Sequence, residues 1–421
     1  SAARPSDFLS FAKAVDAHIL WTVSMNGTSK EAAALVAFFN GRVDDATPIG
    51  VDVRGRDWKT IGYWAQLRSK NGHPEPYPVH LWEVGNEAYG AKQSTGGSKC
   101  AAWGWEEVWT CDATEYVNGK GSGAERHEGF LEFRTAMRAV DPTIQVGAIG
   151  VDDPASWSQW GEQVIKAAGA DMDFYVVHLY PYWEQPPSAP DVLTQPAKIW
   201  KKMIDRVNAA SQRFANGRKI PIAVTEYNLV SSQDKDNEQL MLRAVNALYM
   251  ADSIGQMAQH GVAIANTWNL ANGVAPNGTD YGMVDADTQV RHPQYYALWA
   301  WARFGTSMLP VDVEQADPQA TSVYAGRDEQ GTISLLLVNK SEQPVTFQVQ
   351  VRGIRDLPNG TLDAITADSL EATDVLVNGV ANPNDDFGNA PSQPVPVENG
   401  SIEITIAPFS LSLARFPAQT T

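Results

Sequence analysis

Trp82-Glu83-Val84-Gly85-Asn86-Glu87 and Ile222-Ala223-Val224-Thr225-Glu226-Tyr227-Asn228 decide how this chain reads. Each is a short apolar run that ends on a carboxylate. In the first, Gly85 frees the backbone just where Asn86 and Glu87 leave the strand. A carboxylate at the C-terminal mouth of a parallel strand usually faces an active site. Burying it without a partner is costly, so either Glu alone reads equally well as a buried acid satisfied by an Arg or a His. Two of them at equivalent strand ends point to chemistry.

Working outward, both runs belong to a series. Short β-branched or aromatic stretches at 19–25, 79–84, 144–149, 174–178, 220–225 and 262–268 alternate with helix-period stretches at 30–39, 123–140, 156–168, 196–215 and 236–260. Strands separated by amphipathic helices predict βα units and a parallel sheet. Residues 5–17 read as a further helix ahead of the first strand. After Phe304 the pattern changes to alternating strands with turn signals at 322–327, 332–339, 344–352, 401–407 and 411–416, with a long Asn-, Asp- and Pro-rich loop at 382–397. This predicts an antiparallel β-sandwich. The expected division is a catalytic α/β part at 1–304 and a sandwich at 305–421. A sandwich joined without a linker reads as structural rather than as a separate sugar-binding module.

Composition narrows the function. The 421 residues carry a formal charge of −17, so the surface repels nucleic acid and other polyanions. A neutral polymer suits it better. Fourteen Trp are present; most are expected in the core, while exposed indole faces fit against sugar rings. No apolar run reaches the roughly 20 residues that cross a bilayer. Cys100 and Cys111 flank a polar, Trp-containing stretch and read as a loop closed by a disulfide, which favours a secreted or periplasmic setting. No Gly-x-Ser-x-Gly elbow, phosphate-binding Gly-rich loop or His-Glu-x-x-His zinc motif occurs.

Paired carboxylates are what glycosidic bond cleavage requires. A protonated one serves the leaving oxygen, and an ionised one serves the anomeric carbon. Retaining chemistry sets them about 5 to 5.5 Å apart. No metal or cofactor is called for.

Gly85-Asn86-Glu87 and Thr225-Glu226-Tyr227-Asn228 resemble the two signatures of clan A glycoside hydrolases, whose (β/α)8 TIM barrels carry an Asn-Glu acid/base pair after strand 4 and a nucleophilic Glu after strand 7. The stretch Asn71-Gly72-His73-Pro74-Glu75-Pro76-Tyr77 and the C-terminal sandwich are most similar to family 51 α-L-arabinofuranosidases. The resemblance runs through nearly the whole chain. It implies that Glu87 is the general acid/base, Glu226 the nucleophile, and Asn86 a hydrogen-bond partner of the sugar hydroxyl beside the reacting carbon. In Val176-Val177-His178-Leu179-Tyr180 it implies that Tyr180 touches the nucleophile and that His178 lies in the site. Packing is the plain alternative for His178.

Trp268 is then a platform under the sugar, again with core packing as the alternative, and Asn26 a further sugar contact. Trp103, with Trp105 and Trp109, stands in the loop after Glu87 and is expected either to wall the cleft or to pin the loop. Tyr182 and Trp183 are open in the same way. The resemblance also implies that the six strands are barrel strands 3 to 8, with strands 1 and 2 missing or supplied by a separate N-terminal fragment. Asn266-Thr267-Trp268-Asn269 departs from the Gln-containing strand-8 pattern of an arabinofuranosidase. An oligo- or polysaccharide is the expected substrate. Endo-β-glucanase, xylanase, β-xylosidase and β-glucuronidase use the same pair of glutamates and are the alternatives within the clan. A non-catalytic carbohydrate-binding protein is the alternative outside it.

Overall fold

The computed structural model describes residues 4–89, 112–314, 317, 319–354, 357–398 and 400–417. Trp103, Trp105, Trp109 and the expected Cys100–Cys111 disulfide lie outside them. The chain divides into two compact units, Ser1–Val177 with Met203–Ala223, and His178–Lys202 with Val224–Thr421.

The parallel sheet has the predicted six strands, β1 (Leu20–Val23), β2 (Leu81–Val84), β3 (Gln145–Ile149), β4 (Phe174–Leu179), β5 (Ile222–Tyr227) and β6 (Ile264–Thr267), hydrogen-bonded in chain order. Among the described residues β1 pairs with β2 alone, in the register Val23 to Val84, and β2 pairs with β3, Val84 to Ala148. Their C-terminal ends are therefore level, which sets the residues after them side by side. Parallel strands with helical crossovers are covered on both faces and read as continuous apolar runs. β3 and β4 show this pattern, with almost every residue buried.

The helices are α1 (Pro5–Val15), α2 (Ser29–Asn40), α3 (Ile61–Lys70), α4 (Ala113–Asn118), α5 (Phe130–Val140), α6 (Ser156–Ala168), α7 (Ala189–Leu193), α8 (Gln195–Phe214), α9 (Ala244–His260) and α10 (Pro293–Ala302). Two expected helices are shorter than their pattern. The stretch 123–140 opens with a short 3-10 turn at Gly123–Glu125 before α5 begins at Phe130. In 236–260 the buried Asp236 carboxylate accepts the amides of Leu240 and Met241 and the hydroxyl of Thr279 at 2.6 Å. It closes a turn there and α9 starts only at Ala244.

In the first unit, Arg68 of α3 is fully buried although charged. Its guanidinium donates to the carbonyls of Phe38, Phe39 and Gly41 at the end of α2, and to those of His73 and Pro74. The last carbonyls of a helix have no partners of their own, and a cation is favoured there. One side chain thus caps α2 and fixes the Asn71-to-Tyr77 stretch.

In the second unit, the short parallel pair β7 (Ala271–Asn272) and β8 (Val284–Asp285) follows β6. Then come, among the described residues, ten further strands: β9 (Ser307–Leu309), β10 (Thr321–Arg327), β11 (Ile333–Asn339), β12 (Val345–Gln350), β13 (Gly360–Thr366), β14 (Leu376–Val377), β15 (Val380–Ala381), β16 (Gln393–Val395), β17 (Ser401–Ile406) and β18 (Ser410–Phe416). One sheet has the order β15-β14-β13-β18-β11-β10-β9, with β16 beside β13; the other is the pair β12-β17.

β12 alternates half-buried and exposed residues and β17 buried and exposed ones, and their inward side chains Phe347, Ile402, Ile404 and Ile406 belong to one apolar cluster with Leu335, Leu337 and Phe416 of the larger sheet. β11 is buried on both faces, since its other side meets α9. Contact there is close. A Cβ on Gly255 of α9 would stand 2.2 Å from the Tyr324 ring, so only glycine fits. Asp252 of α9 pairs with Lys340 at 2.9 Å, both side chains almost wholly buried, and also accepts the Tyr324 hydroxyl. The sandwich is keyed into α9 through its core.

Candidate active site

In the first unit the site residues stand after β1 and β2. Gly85 adopts φ 86°, and a side chain on it would press to 2.8 Å from Ile149 and 3.0 Å from Met25. Glycine is required there on both counts. The Gly85 amide still bonds to the Val23 carbonyl at 2.8 Å, so the chain leaves the sheet only at Asn86. Glu87 has φ 47°, a costly conformation for a side chain of its kind that recurs at functional sites. It is half-buried, as is Asn86.

Tyr89 donates to Glu87 Oε1 at 3.3 Å. The Tyr89 ring is buried against Trp157 and Trp160, at 5.1 and 6.2 Å between centroids. Tyr116 spans the ends of β2 and β3 by donating to the Val84 carbonyl and accepting the Ile149 amide. Asn26, three residues past the end of β1 at Val23, is exposed, and its carbonyl accepts from Arg54 at 2.7 Å.

Beside β1 opens a cavity of about 790 Å³ lined by Trp21, Phe38, Trp58, Trp64 and Leu67, with Asn26 and Arg54 at its polar side. Asp52 pins the loop next to it. Burial works to raise its pKa, but hydrogen bonds from Trp58, the amides of Arg56 and Arg54, and Thr28 outweigh this and hold the carboxyl below its usual range.

In the second unit Glu226 and its neighbours stand at the ends of β4 and β5. Tyr180 donates to Glu226 Oε2 at 2.9 Å, and His178 Nδ1 lies 3.6 Å from the same oxygen. The other His178 nitrogen meets the Thr225 hydroxyl at 3.1 Å. A phenol donating to a carboxylate favours its ionised form, the form a nucleophile needs. Tyr281 donates to the Ser231 carbonyl at 2.6 Å, and burial, with the charges of Asp234, Glu226 and Asp236 adding to it, pushes its phenol up to about 12. It stays a neutral donor throughout the working range of an enzyme.

Trp268 lies just past β6 with 40 % of its surface exposed, so it is a side chain with a free face and not part of the core. Its backbone is held on both sides: its amide donates to Tyr227 at 2.9 Å, and its carbonyl accepts the side-chain amide of the fully buried Asn228. Asn228 also reaches the Tyr281 carbonyl at 3.2 Å. Trp183 is 60 % exposed in a loop tied by Tyr182 to Val230 and Ser231.

The structure therefore brings His178, Tyr180 and Glu226 together and presents Trp268 to solvent, while Glu87 sits with Tyr89. Tyr89, Asn228 and Tyr281 escaped the reading of the sequence. Asn228 stood inside a quoted motif, but nothing in the sequence shows that its side chain turns to the backbone of Trp268.

The arrangement fits what comparison with known proteins finds. Residues 6–185 match the model of the alpha-L-arabinofuranosidase 1 domain. The chain is 24 % identical over 382 residues to the intracellular exo-alpha-(1->5)-L-arabinofuranosidase 1 of Bacillus subtilis, covering 83 % of this chain and 66 % of that one. It is 26 % identical over 163 residues to alpha-L-arabinofuranosidase C of Emericella nidulans, covering 37 % of this chain and 24 % of that one. It thus spans about two thirds of the bacterial relative and a quarter of the fungal one. The fold is similar to that of alpha-L-arabinofuranosidase from Thermotoga maritima, with a TM-score of 0.68 at 21 % identity, covering 98 % of this chain and 78 % of that one. In sequence motifs and in fold, the chain resembles the family 51 α-L-arabinofuranosidases.

Proposed function

We propose that the protein is a retaining glycoside hydrolase that releases α-L-arabinofuranosyl units from a plant-type or microbial polysaccharide, with Glu87 as acid/base and Glu226 as nucleophile. The observation that carries this reading is the setting of Glu226 at the end of a parallel strand, with the Tyr180 phenol donating to the carboxylate oxygen and His178 beside it. In the first step a Glu226 oxygen bonds to the anomeric carbon as the glycosidic C–O bond breaks, and Glu87 gives its proton to the departing oxygen. In the second, Glu87 takes a proton from water, the water oxygen bonds to the anomeric carbon, and the bond to Glu226 breaks. Asn86 and Asn26 serve the sugar hydroxyls in this reading, and the free face of Trp268 carries the ring. The alternative polysaccharidase readings keep both glutamates and change only the sugar.

We also read β1 to β6 as strands 3 to 8 of a (β/α)8 barrel at 1–304, followed by the sandwich at 305–421. The edge of β1, which has no strand beside it among the described residues, the apolar cavity next to it and the exposed Phe8, Phe11 and Val15 of α1 support a further segment, such as a separate N-terminal fragment, that supplies two strands there. An open edge backed by apolar surface otherwise invites aggregation. A secreted or periplasmic location, with Cys100 joined to Cys111, completes the proposal. Among the described residues no helix is long and apolar enough to cross a membrane.

The test is an assay of the protein, with any co-purifying fragment identified by mass spectrometry, on nitrophenyl glycosides and polysaccharides. Activity on the arabinofuranoside that falls by a factor of a thousand or so in Glu226→Ala supports the reading. Activity confined to β-glucan or xylan moves the substrate to the clan alternatives. An unimpaired Glu226→Ala enzyme overturns the mechanism.

A further inference from the structure

We propose that Tyr89 is a positioning residue for Glu87, and that the left-handed turn after β3 serves to hold it. The inference rests on the reading of Glu87 as acid/base. Three independent features converge on this phenol. Its hydroxyl donates to Glu87 Oε1 at 3.3 Å. Its ring is buried, with Trp160 on one side and Trp157 on another. Trp157, moreover, is presented by an irregular backbone. Trp157, Ser158 and Gln159 have φ values of 50°, 62° and 65° where α6 opens.

L side chains visit this region singly and at a cost, so three in a row persist only where the surroundings impose them. Trp160, whose indole donates to the Ile149 carbonyl at 3.0 Å, anchors the turn to the end of β3. Tyr175 steadies the segment before it, donating to the Val151 carbonyl and accepting the Val151 amide. The turn therefore delivers the Trp157 ring to Tyr89 from a fixed base. Glu87 itself follows Gly85 and has φ 47°, so its own backbone is committed by residues 85–87. The rotation of the carboxyl about its long side chain is then what a hydrogen bond from the Tyr89 hydroxyl acts on.

A general acid acts only when its proton lies along the bond that breaks. Protonation matters most for a poor leaving group and little for one that departs as a stable anion. The experiment measures kcat/KM on an unactivated arabino-oligosaccharide and on a dinitrophenyl arabinofuranoside, for Tyr89→Phe and Trp157→Leu. We expect a loss on the order of tenfold on the oligosaccharide and less than about twofold on the dinitrophenyl substrate, for both variants. Comparing two substrates within one preparation removes any loss of folded protein. In a Glu87→Ala background, Tyr89→Phe should add no further loss.

Equal losses on the two substrates, or a further loss in the Glu87→Ala background, would overturn the assignment of Tyr89 while leaving Glu87 in place. Full activity of Glu87→Ala on the oligosaccharide would overturn both.

Discussion

Asn228 shows how much one side chain can decide. Fully buried, it spends its amide on the carbonyls of Trp268 and Tyr281, and its own oxygen accepts the Leu229 amide at 2.7 Å. It fastens the strand that carries Glu226 to the residue that offers an open indole face. Removing the amide leaves those two carbonyls without that donor, at a cost of about 1–3 kcal/mol for a buried acceptor. Asn228→Ala is expected to weaken sugar binding by loosening Trp268, raising KM on the order of tenfold with a smaller fall in kcat. Steady-state kinetics check this, and an unchanged KM would mean that Trp268 does not depend on it.

The residues that sequence could point to stand at or just past strand ends: the apolar runs that end on Glu87 and Glu226 are visible in the pattern, whereas His178 and Tyr180 follow from the resemblance to clan A glycoside hydrolases. Those it could not supply act through side-chain direction. Tyr89 and Tyr281 look like any loop tyrosine until the chain is folded.

At the scale of elements, the same contrast has physical causes. β3 and β4 are buried along almost their whole length, while β1 and β6 also carry exposed residues. All six parallel strands were legible because each is a short run rich in β-branched or aromatic residues. α3 was not, because its buried face includes Arg68, whose charge is satisfied by five backbone carbonyls that no linear pattern reveals. β13 was missed for a similar reason. It begins on Gly360 and carries the buried Asp363, which pairs with Arg303 at 2.7 Å and accepts from Asn378 and Ser392.

The junction between α9 and the sandwich depends on another such pair. Lys340 and Asp252 are shielded from water, and removal of one partner leaves a buried charge uncompensated. Lys340→Met should lower unfolding stability by about 3–5 kcal/mol. In Lys340→Met/Asp252→Asn the loss should be smaller, since no charge is stranded. Denaturant titration reads both, and a loss below about 1 kcal/mol in the single variant would show that the pair contributes little to the fold.

Across the whole molecule, the sequence pattern and the structure agree on a parallel α/β part followed by an antiparallel sandwich, and the catalytic roles proposed for the two glutamates rest on the resemblance of their motifs to those of clan A glycoside hydrolases. The acidic surface and the open indole face of Trp268 support the neutral sugar that the proposed function calls for. The account turns on Glu226 forming a bond to the sugar.

Brief exposure of Glu87→Ala to dinitrophenyl arabinofuranoside, followed by intact-mass and peptide mapping, reads that bond directly. The leaving group departs without help from an acid, and the missing base delays hydrolysis, so a glycosyl ester should accumulate. The account predicts one pentosyl unit per chain, on Glu226. An adduct on another residue, or undiminished turnover with no adduct, would contradict it.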